Sequence, residues 1–229
     1  MAMRDLTDVF DRTGAVERPP YRGLWGEIWS LPSYRPTPPP PLPAGDRTVL
    51  VIPAFLTTDL FTQPLRTFLA RCGHAPRTWG LGINWGPTAP ARAGLRRRLD
   101  ELCAETGTTI DVVGISLGGL LARDLAQHRP DQVRRVVTIG SPVRLPTATP
   151  LEPLIRLIAR HYPEDLEPGR LSQPLPMPTT AIYSRDDGVV AWQSCWVPEP
   201  QGRVVAVDGA HVTMCRNPDV LRAVAEALA

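Results

Sequence analysis

From residue 48 onward, short apolar runs alternate with stretches whose apolar residues recur at helical spacing, such as Leu65, Phe68 and Leu69. The apolar runs predict strands in TVLVIPAF, APRTWGL, TIDVVGI, VRRVVTIG, TTAIYS and RVVAVDG. The other stretches predict helices over about 62–72, in ARAGLRRRLDELCAET, over 117–128 and in NPDVLRAVAEALA. This alternation predicts an α/β fold in one domain over residues 45–229, with a mostly parallel sheet of about six strands and helices on both faces.

Residues 1–44 show no convincing strand pattern. They contain an aromatic patch, YRGLWGEIW, and a proline-rich run, LPSYRPTPPPPLP, whose prolines cannot join a central sheet. One interpretation is an arm that lies extended on the domain, with Trp25 and Trp29 as anchors. The other is a docking segment, because clustered prolines favour an open polyproline conformation that aromatic grooves recognise.

The interval from about 144 to 178 interrupts the alternation within the domain. It is proline-rich around one amphipathic helix, PLEPLIRLIARHY, in which Leu154, Ile155 and Ile158 share a face. This helix either covers an edge of the sheet or forms a small cap insertion whose apolar side borders a substrate pocket. On the second interpretation, these three residues contact the substrate.

The sequence GISLG at 114–118 matches the pattern G-x-S-x-G. It follows a predicted strand and opens a predicted helix, which is the arrangement that a nucleophile elbow requires. A serine at so sharp a turn needs almost no side chain at 114 and 118, since a Cβ there would collide with neighbouring backbone. The pattern predicts that Ser116 is a nucleophile; the alternative is that the glycines serve only the packing of a tight corner.

A serine hydroxyl needs a base to accept its proton, and that base is expected beyond the last strand. Among the four histidines, His211 lies there, in GAHVTM. His74 and His128 lie at the ends of predicted surface helices, where solvated or capping roles are commoner, and His161 ends the predicted cap helix. His211 is therefore the predicted base.

The acid that orients the base is expected after an earlier strand, and Asp186 and Asp187 directly follow TTAIYS. We favour Asp187, although Asp-Gly pairs are also ordinary turn formers. The resulting order Ser116, Asp187, His211 is that of α/β-hydrolases and differs from the orders in chymotrypsin and subtilisin.

Composition narrows the class of protein further. The 229 residues carry a net charge of +2, which favours neither nucleic acid nor a strongly anionic partner. The chain contains no lysine, so Schiff-base chemistry and phosphate-loop NTPase function are excluded. The four cysteines lack C-x-x-C spacing, and no cofactor or metal motif is present. Reduced thiols in a soluble, cytoplasmic protein are expected, with a Cys195–Cys215 disulfide as the alternative.

Several motifs together resemble those of the α/β-hydrolase superfamily, in its small bacterial lipase/esterase branch, which is similar to class 2 lipases and related deacylases. These motifs are VIPAF, GLGINWGP, VVGISLGGLLARDLA, VVTIGSP, YSRDDGVV and GAHVTM, spread from about residue 48 to 229. The resemblance implies an oxyanion hole formed by the backbone amides of Phe55 and Leu117. Pro53-Ala54 stands where the family commonly has a His-Gly or Pro-Gly pair, and the family's leading strands are missing.

The motifs and the resemblance predict a serine hydrolase that cleaves carboxylic esters, with a preference for apolar acyl groups, through an acyl-enzyme on Ser116. The expected partner is a small-molecule ester or lipid; no nucleic acid and no transmembrane segment are expected. Peripheral membrane contact and the oligomeric state stay open. An acyltransferase or thioesterase with the same triad, and a non-catalytic binding protein on a hydrolase scaffold, are the alternatives. Deletion of residues 1–40 is expected to leave activity intact.

Overall fold

Six parallel strands form one sheet in the computed structural model, which describes residues 27, 34, 36–42, 45–144, 168–196, 200 and 202–229. The strands are β1 (Thr48–Ile52), β2 (Ala75–Thr78), β3 (Ile110–Ile115), β4 (Val133–Ile139), β5 (Thr179–Ser184) and β6 (Gly202–Val207). Their order across the sheet is β2-β1-β3-β4-β5-β6, and every neighbouring pair is parallel. The predicted α/β fold is confirmed: β1 to β5 lie within the runs predicted from the sequence, and β6 begins one residue before its run, at Gly202.

Helices cover both faces of this sheet. They are α1 (Gln63–Arg71), α2 (Ala89–Thr106), α3 (Leu117–His128), the short α4 (Pro168–Leu171) and α5 (Pro218–Leu228). Alternate residues of β1 point to opposite faces: Val49 and Val51 pack in a core with α1 and α5, whereas Leu50 and Ile52 pack in a second core with α2 and α3. Every residue of β1 and of β3 is buried, which explains why these two sequences are nearly continuous apolar runs.

The order of the strands determines where a site can form. The chain passes from β1 to β2 on one side and then to β3 on the other side of β1. Open α/β sheets bind ligands beyond the carboxyl ends of their strands at such a reversal. The segments that follow β1 and β3 are those that contain Phe55 and Ser116.

The predicted cap helix, with Leu154, Ile155, Ile158 and His161, lies outside the described residues, as do Trp25 and Trp29. The structure describes residues 168–178, at the end of the interval from about 144 to 178, and hydrogen bonds join this part of the chain to α3. Arg123, almost fully buried, donates to the carbonyl oxygens of Leu171 at 2.7 Å and Gln173 at 2.6 Å. These bonds fix the return of the chain into β5 close to the start of α3.

The four cysteines Cys72, Cys103, Cys195 and Cys215 are free thiols, so the alternative of a Cys195–Cys215 disulfide is wrong. Burial raises the pKa of Cys215 to about 12 and also raises that of Cys195, which keeps both thiols protonated. None of the described helices is both long enough and apolar enough to cross a membrane.

Candidate active site

Ser116 stands between β3 and α3 in a backbone conformation that few residues adopt. Its φ of 53° lies in the left-handed region, which costs energy for any residue with a Cβ. Its amide donates to the carbonyl of Ile139 at 2.7 Å, and its carbonyl accepts from the amide of Gly119 at 2.9 Å. The strained conformation is thus held from both sides at the residue that the sequence motif singles out.

Gly114 and Gly118 allow backbone segments to meet around this serine. A Cβ on Gly114 would lie 2.5 Å from the Cα of Gly119, and a Cβ on Gly118 would lie 2.5 Å from the carbonyl oxygen of Pro53. Both distances are shorter than real Cβ contacts, so any other residue would force the backbone apart. The glycines of the motif therefore bring α3 onto β3 and onto the end of β1.

Asp187 and His211 are joined by a hydrogen bond of 2.6 Å between Oδ2 and Nδ1. Asp187 follows β5, and His211 follows β6 at the start of a 3₁₀ turn (His211–Arg216). The other carboxylate oxygen of Asp187 accepts from the amides of Val189 at 2.8 Å and Val190 at 2.7 Å, which fixes its orientation. Asp186 is exposed. The structure therefore brings Asp187, and not Asp186, to His211.

The charged surroundings of His211 set its protonation. Burial by itself lowers the pKa of His211, but the charge and hydrogen bond of Asp187 and the charge of Glu27 raise it, and the net pKa lies above its ordinary value. Because the carboxylate of Asp187 accepts a hydrogen bond from Nδ1–H, the neutral imidazole leaves Nε2 as its acceptor.

Gly140 connects the position of His211 to that of Ser116. Ile115 and Ile139 are in register on β3 and β4, so Ser116 and Gly140 follow side by side. A Cβ on Gly140 would lie 3.1 Å from Nδ1 of His211, so the imidazole lies directly against this backbone. The hydrogen bonds of the described residues link His211 to Asp187 but not to Ser116. Ser116 and His211 therefore both lie beside Gly140 at this edge of the sheet.

Phe55 and Leu117, the predicted oxyanion-hole residues, belong to one apolar cluster, whose other members are Leu120, Val143 and Leu171. Leu117 is the first residue of α3, and an amide at this position has no acceptor within its own helix. Phe55 lies on the loop after β1, in which the carbonyl of Pro53 comes close to Gly118. The structure thus brings both residues into one cluster next to Ser116.

Asn84 fixes the loop that contains Phe55, although no pattern in the sequence indicates a role for it. This fully buried side chain donates to the carbonyl oxygen of Pro53 at 2.7 Å and accepts from the amide of Gly86 at 2.9 Å. Its backbone carbonyl accepts from the amide of Leu56 at 2.8 Å. Leu56 has a φ of 57°, so the loop is strained directly after Phe55.

Glu27 also reaches this edge of the sheet, and nothing in YRGLWGEIW signals it. Glu27 is 2% exposed, and its carboxylate accepts from three backbone amides. Oε1 accepts from Gly188 and from His211, both at 2.8 Å, and Oε2 accepts from Val212 at 2.9 Å.

The other described histidines lie elsewhere. His74 precedes β2 at the opposite edge of the sheet and is buried, which differs from the expected solvated role. His128 ends α3, where Nδ1 donates to the carbonyl of Asp124 at 2.7 Å, as expected of a capping residue. Within the described ranges, no group of three or more His, Cys, Asp or Glu side chains could hold a metal ion.

Solved structures with this fold are known, although no protein-family model matches the sequence. One match, from work on the metagenome-derived lipolytic enzymes LipS and LipT, is 17% identical with a TM-score of 0.59 over 82% of this chain and 98% of that one. The monoacylglycerol lipase of Paleococcus ferrophilus is 14% identical with a TM-score of 0.58 over 80% and 95%. The α/β hydrolase domain-containing protein 10 from mouse is 18% identical with a TM-score of 0.52 over 81% and 89%.

The chain has the α/β-hydrolase fold. In this fold, a catalytic serine occupies the turn between a strand and the following helix, and an acid and a histidine follow it in that order along the chain. Ser116, Asp187 and His211 occupy such positions after β3, β5 and β6. The α/β-hydrolase fold thus provides the frame in which these three side chains are interpreted.

Proposed function

We propose that the protein is a serine hydrolase that cleaves carboxylic esters of apolar acyl groups through an acyl-enzyme on Ser116. The observation that carries this proposal is the buried 2.6 Å hydrogen bond between Asp187 and His211, at the sheet edge where Ser116 is held in a strained turn. The substrate is a small-molecule ester or lipid. Lipolytic enzymes among the proteins of similar fold support this class of substrate.

In the proposed mechanism, the hydroxyl oxygen of Ser116 attacks the acyl carbonyl while Nε2 of His211 accepts the hydroxyl proton. Asp187 holds the imidazolium that forms. The tetrahedral intermediate collapses, the bond to the leaving alkoxide breaks, and His211 gives it the proton. Water then attacks the acyl-serine, again with His211 as base, and releases the carboxylic acid and the free serine.

The negative oxygen of each tetrahedral intermediate is stabilised by the amides of Phe55 and Leu117. Two observations support this role: the amide of Leu117 lies at the start of a helix, where it is unpaired within α3, and Asn84 fixes the loop that contains Phe55. Loss of one such donor typically costs about 10²–10³ in rate.

The preference for apolar acyl groups rests on the side chains beside Ser116. Phe55, Leu117 and Leu120 form an apolar cluster there with Val143 and Leu171. Burial of acyl methylene groups against such a surface is favourable by about 0.8 kcal/mol each. The additional contacts of Leu154, Ile155 and Ile158 stay a prediction.

A fluorophosphonate probe tests the proposal, because it reacts with a serine only when a base and an oxyanion hole activate it. The probe is expected to label the wild-type protein and not Ser116→Ala. Ser172→Ala and heat-denatured wild-type protein are the controls; the first keeps labelling and the second loses it. Equal labelling of wild type and Ser116→Ala would refute the assignment of the nucleophile. Absence of labelling in the native wild type would favour a non-catalytic scaffold.

Acyltransferase or thioesterase activity would use the same three residues, since these classes differ in the leaving group or in the acceptor that releases the acyl-serine. Turnover of an ester in the presence of an added alcohol separates them. A hydrolase gives mainly free acid, whereas a transferase gives mainly the new ester.

A further inference from the structure

Glu27 joins two loops that come from different strands. One loop follows β5 and carries Asp187; the other follows β6 and carries His211. Gly188, directly after Asp187, and His211 itself both donate their amides to the same oxygen of Glu27. The second oxygen accepts from Val212. A single side chain, more than 160 positions away in the sequence, therefore bonds to both loops of the proposed acid–base pair.

These bonds are of the strong kind. Hydrogen bonds from amides to a carboxylate are charge-assisted, and burial strengthens them further. Glu27 is 2% exposed, so without its carboxylate the three amides would lose their acceptor in a largely buried site. The position of Glu27 is thus coupled to the backbone conformation of both loops.

The bonds converge on the proposed catalytic pair itself. The backbone of His211 is bound directly, and the amide of Gly188 is one peptide away from Asp187. A change of about 1 Å in the separation of the two loops would lengthen the 2.6 Å hydrogen bond between the side chains. Glu27 also adds negative charge near the imidazole; among the described residues, Asp187 and Glu27 are the acidic groups that raise the pKa of His211.

We propose that Glu27 is a positioning residue that ties the loop of Asp187 to the loop of His211, so that a residue distant in the sequence completes the active site. The proposal rests on the proposed function. It changes the expectation for deletion of residues 1–40: this deletion removes Glu27 and is now expected to abolish turnover rather than leave it intact.

The test compares Glu27→Gln with Glu226→Gln in the full chain. Glutamine keeps the shape of glutamate, but it loses the charge and places an NH₂ group or a neutral oxygen opposite the amides. Glu226 is an exposed residue whose partner is Arg203, so it controls for the loss of one surface charge.

With p-nitrophenyl butyrate, Glu27→Gln is expected to lower kcat by about 10-fold to 100-fold with little change in KM, because Glu27 positions the catalytic pair and does not contact substrate. Glu226→Gln is expected to match wild type.

A purely structural role for Glu27 would have a different signature. It would lower Tm and the amount of folded protein, but kcat per folded molecule would equal that of wild type. In our proposal kcat per folded molecule falls, and the acid limb of kcat/KM against pH also moves to lower pH, since the charge that favours the imidazolium is lost. An unchanged kcat with an unchanged acid limb overturns the proposal.

A second measurement separates this proposal from the proposed function. The imidazole of His211 is titrated by NMR in Ser116→Ala and in Ser116→Ala with Glu27→Gln, where no turnover is needed. A lower pKa and a shifted Nδ1 proton resonance in the double variant support the positioning role even if no ester is hydrolysed. An unchanged titration and resonance overturn it.

Glu27→Asp serves where the glutamine variant does not fold. It keeps the charge but shortens the side chain, so it is expected to leave the acid limb nearly in place while kcat falls. A kcat equal to that of wild type in this variant would overturn the positioning role.

Discussion

The imidazole of His211 packs against Gly140 so closely that no side chain fits between them. A Cβ at position 140 would lie 3.1 Å from Nδ1 and 3.2 Å from Cε1 of His211, and the φ of Gly140 is +55°. We expect Gly140→Ala to displace the imidazole and to lower kcat on p-nitrophenyl butyrate by about 100-fold. The unfavourable φ is expected to cost about 1–2 kcal/mol of stability as well, measured by urea unfolding.

Gly107→Ala is the matched control for this variant. Gly107 follows α2 with a φ of +67°, and a Cβ there would meet no atom within 4 Å. Both variants carry the same kind of backbone penalty, but only the change at 140 reaches the imidazole. Gly107→Ala is expected to lose stability and keep its kcat; equal kcat values in the two variants would contradict the role of the 140 contact.

Asp187→Asn is expected to lower kcat by about 10⁴-fold with little change in stability or KM. The amide nitrogen of asparagine donates toward Nδ1, which favours the tautomer of His211 that cannot accept the serine proton at Nε2. Asp186→Asn is the control, because Asp186 is adjacent and exposed. If both variants retained wild-type turnover in an ester assay, Asp187 would have no role as the acid.

The sheet could be predicted because its signal is local. Every residue of β3 is buried, so its apolar run needs no tertiary information to be recognised. The order of Ser116, Asp187 and His211 follows from which strand each one succeeds, and parallel strands bring their carboxyl ends to one edge. Asp187 differs from Asp186 by its burial, which the fold decides and the sequence only suggests.

Glu27 and Asn84 could not be predicted because their partners are distant and are backbone atoms. Nearly every residue has the same backbone N–H and C=O groups. No sequence pattern therefore marks the amides of Gly188 and His211 as the partners of Glu27. Asn84 lies within GLGINWGP, but its bond to the carbonyl of Pro53 spans 31 positions. A buried polar side chain becomes informative only when its partners are known.

Asn84→Ala is expected to lower kcat more than it lowers substrate affinity. The substitution leaves the carbonyl of Pro53 and the amide of Gly86 without their partner, and each such loss costs about 1–3 kcal/mol. The loop of Phe55 then loses its fixed position, and with it one proposed oxyanion donor. Steady-state kinetics and Tm are the measurements.

Thr88→Ala provides the comparison for this variant. Thr88 caps α2 by accepting from the amide of Ala91, and loss of such a cap costs about 1 kcal/mol. It lies close to Asn84 in the sequence but does not bind the loop of Phe55. Thr88→Ala is expected to lose stability but to keep its kcat. If both variants lost the same stability and the same kcat, a specific effect of Asn84 on the oxyanion donors would be ruled out.

The pH dependence of turnover follows from the surroundings of His211. Burial lowers its pKa, but the charge and hydrogen bond of Asp187 and the charge of Glu27 outweigh burial, so the net pKa lies above 6.5. In the proposed mechanism the neutral imidazole is the base, so kcat/KM is expected to rise with pH through a midpoint above 6.5 and to fall as the pH drops below it. Initial rates on p-nitrophenyl butyrate from about pH 5 to about pH 9 give this midpoint.

His128→Gln should leave this midpoint in place, since His128 caps α3 away from the site. A midpoint below 6.5 in the wild type would mean that burial, rather than Asp187 and Glu27, dominates the titration of His211.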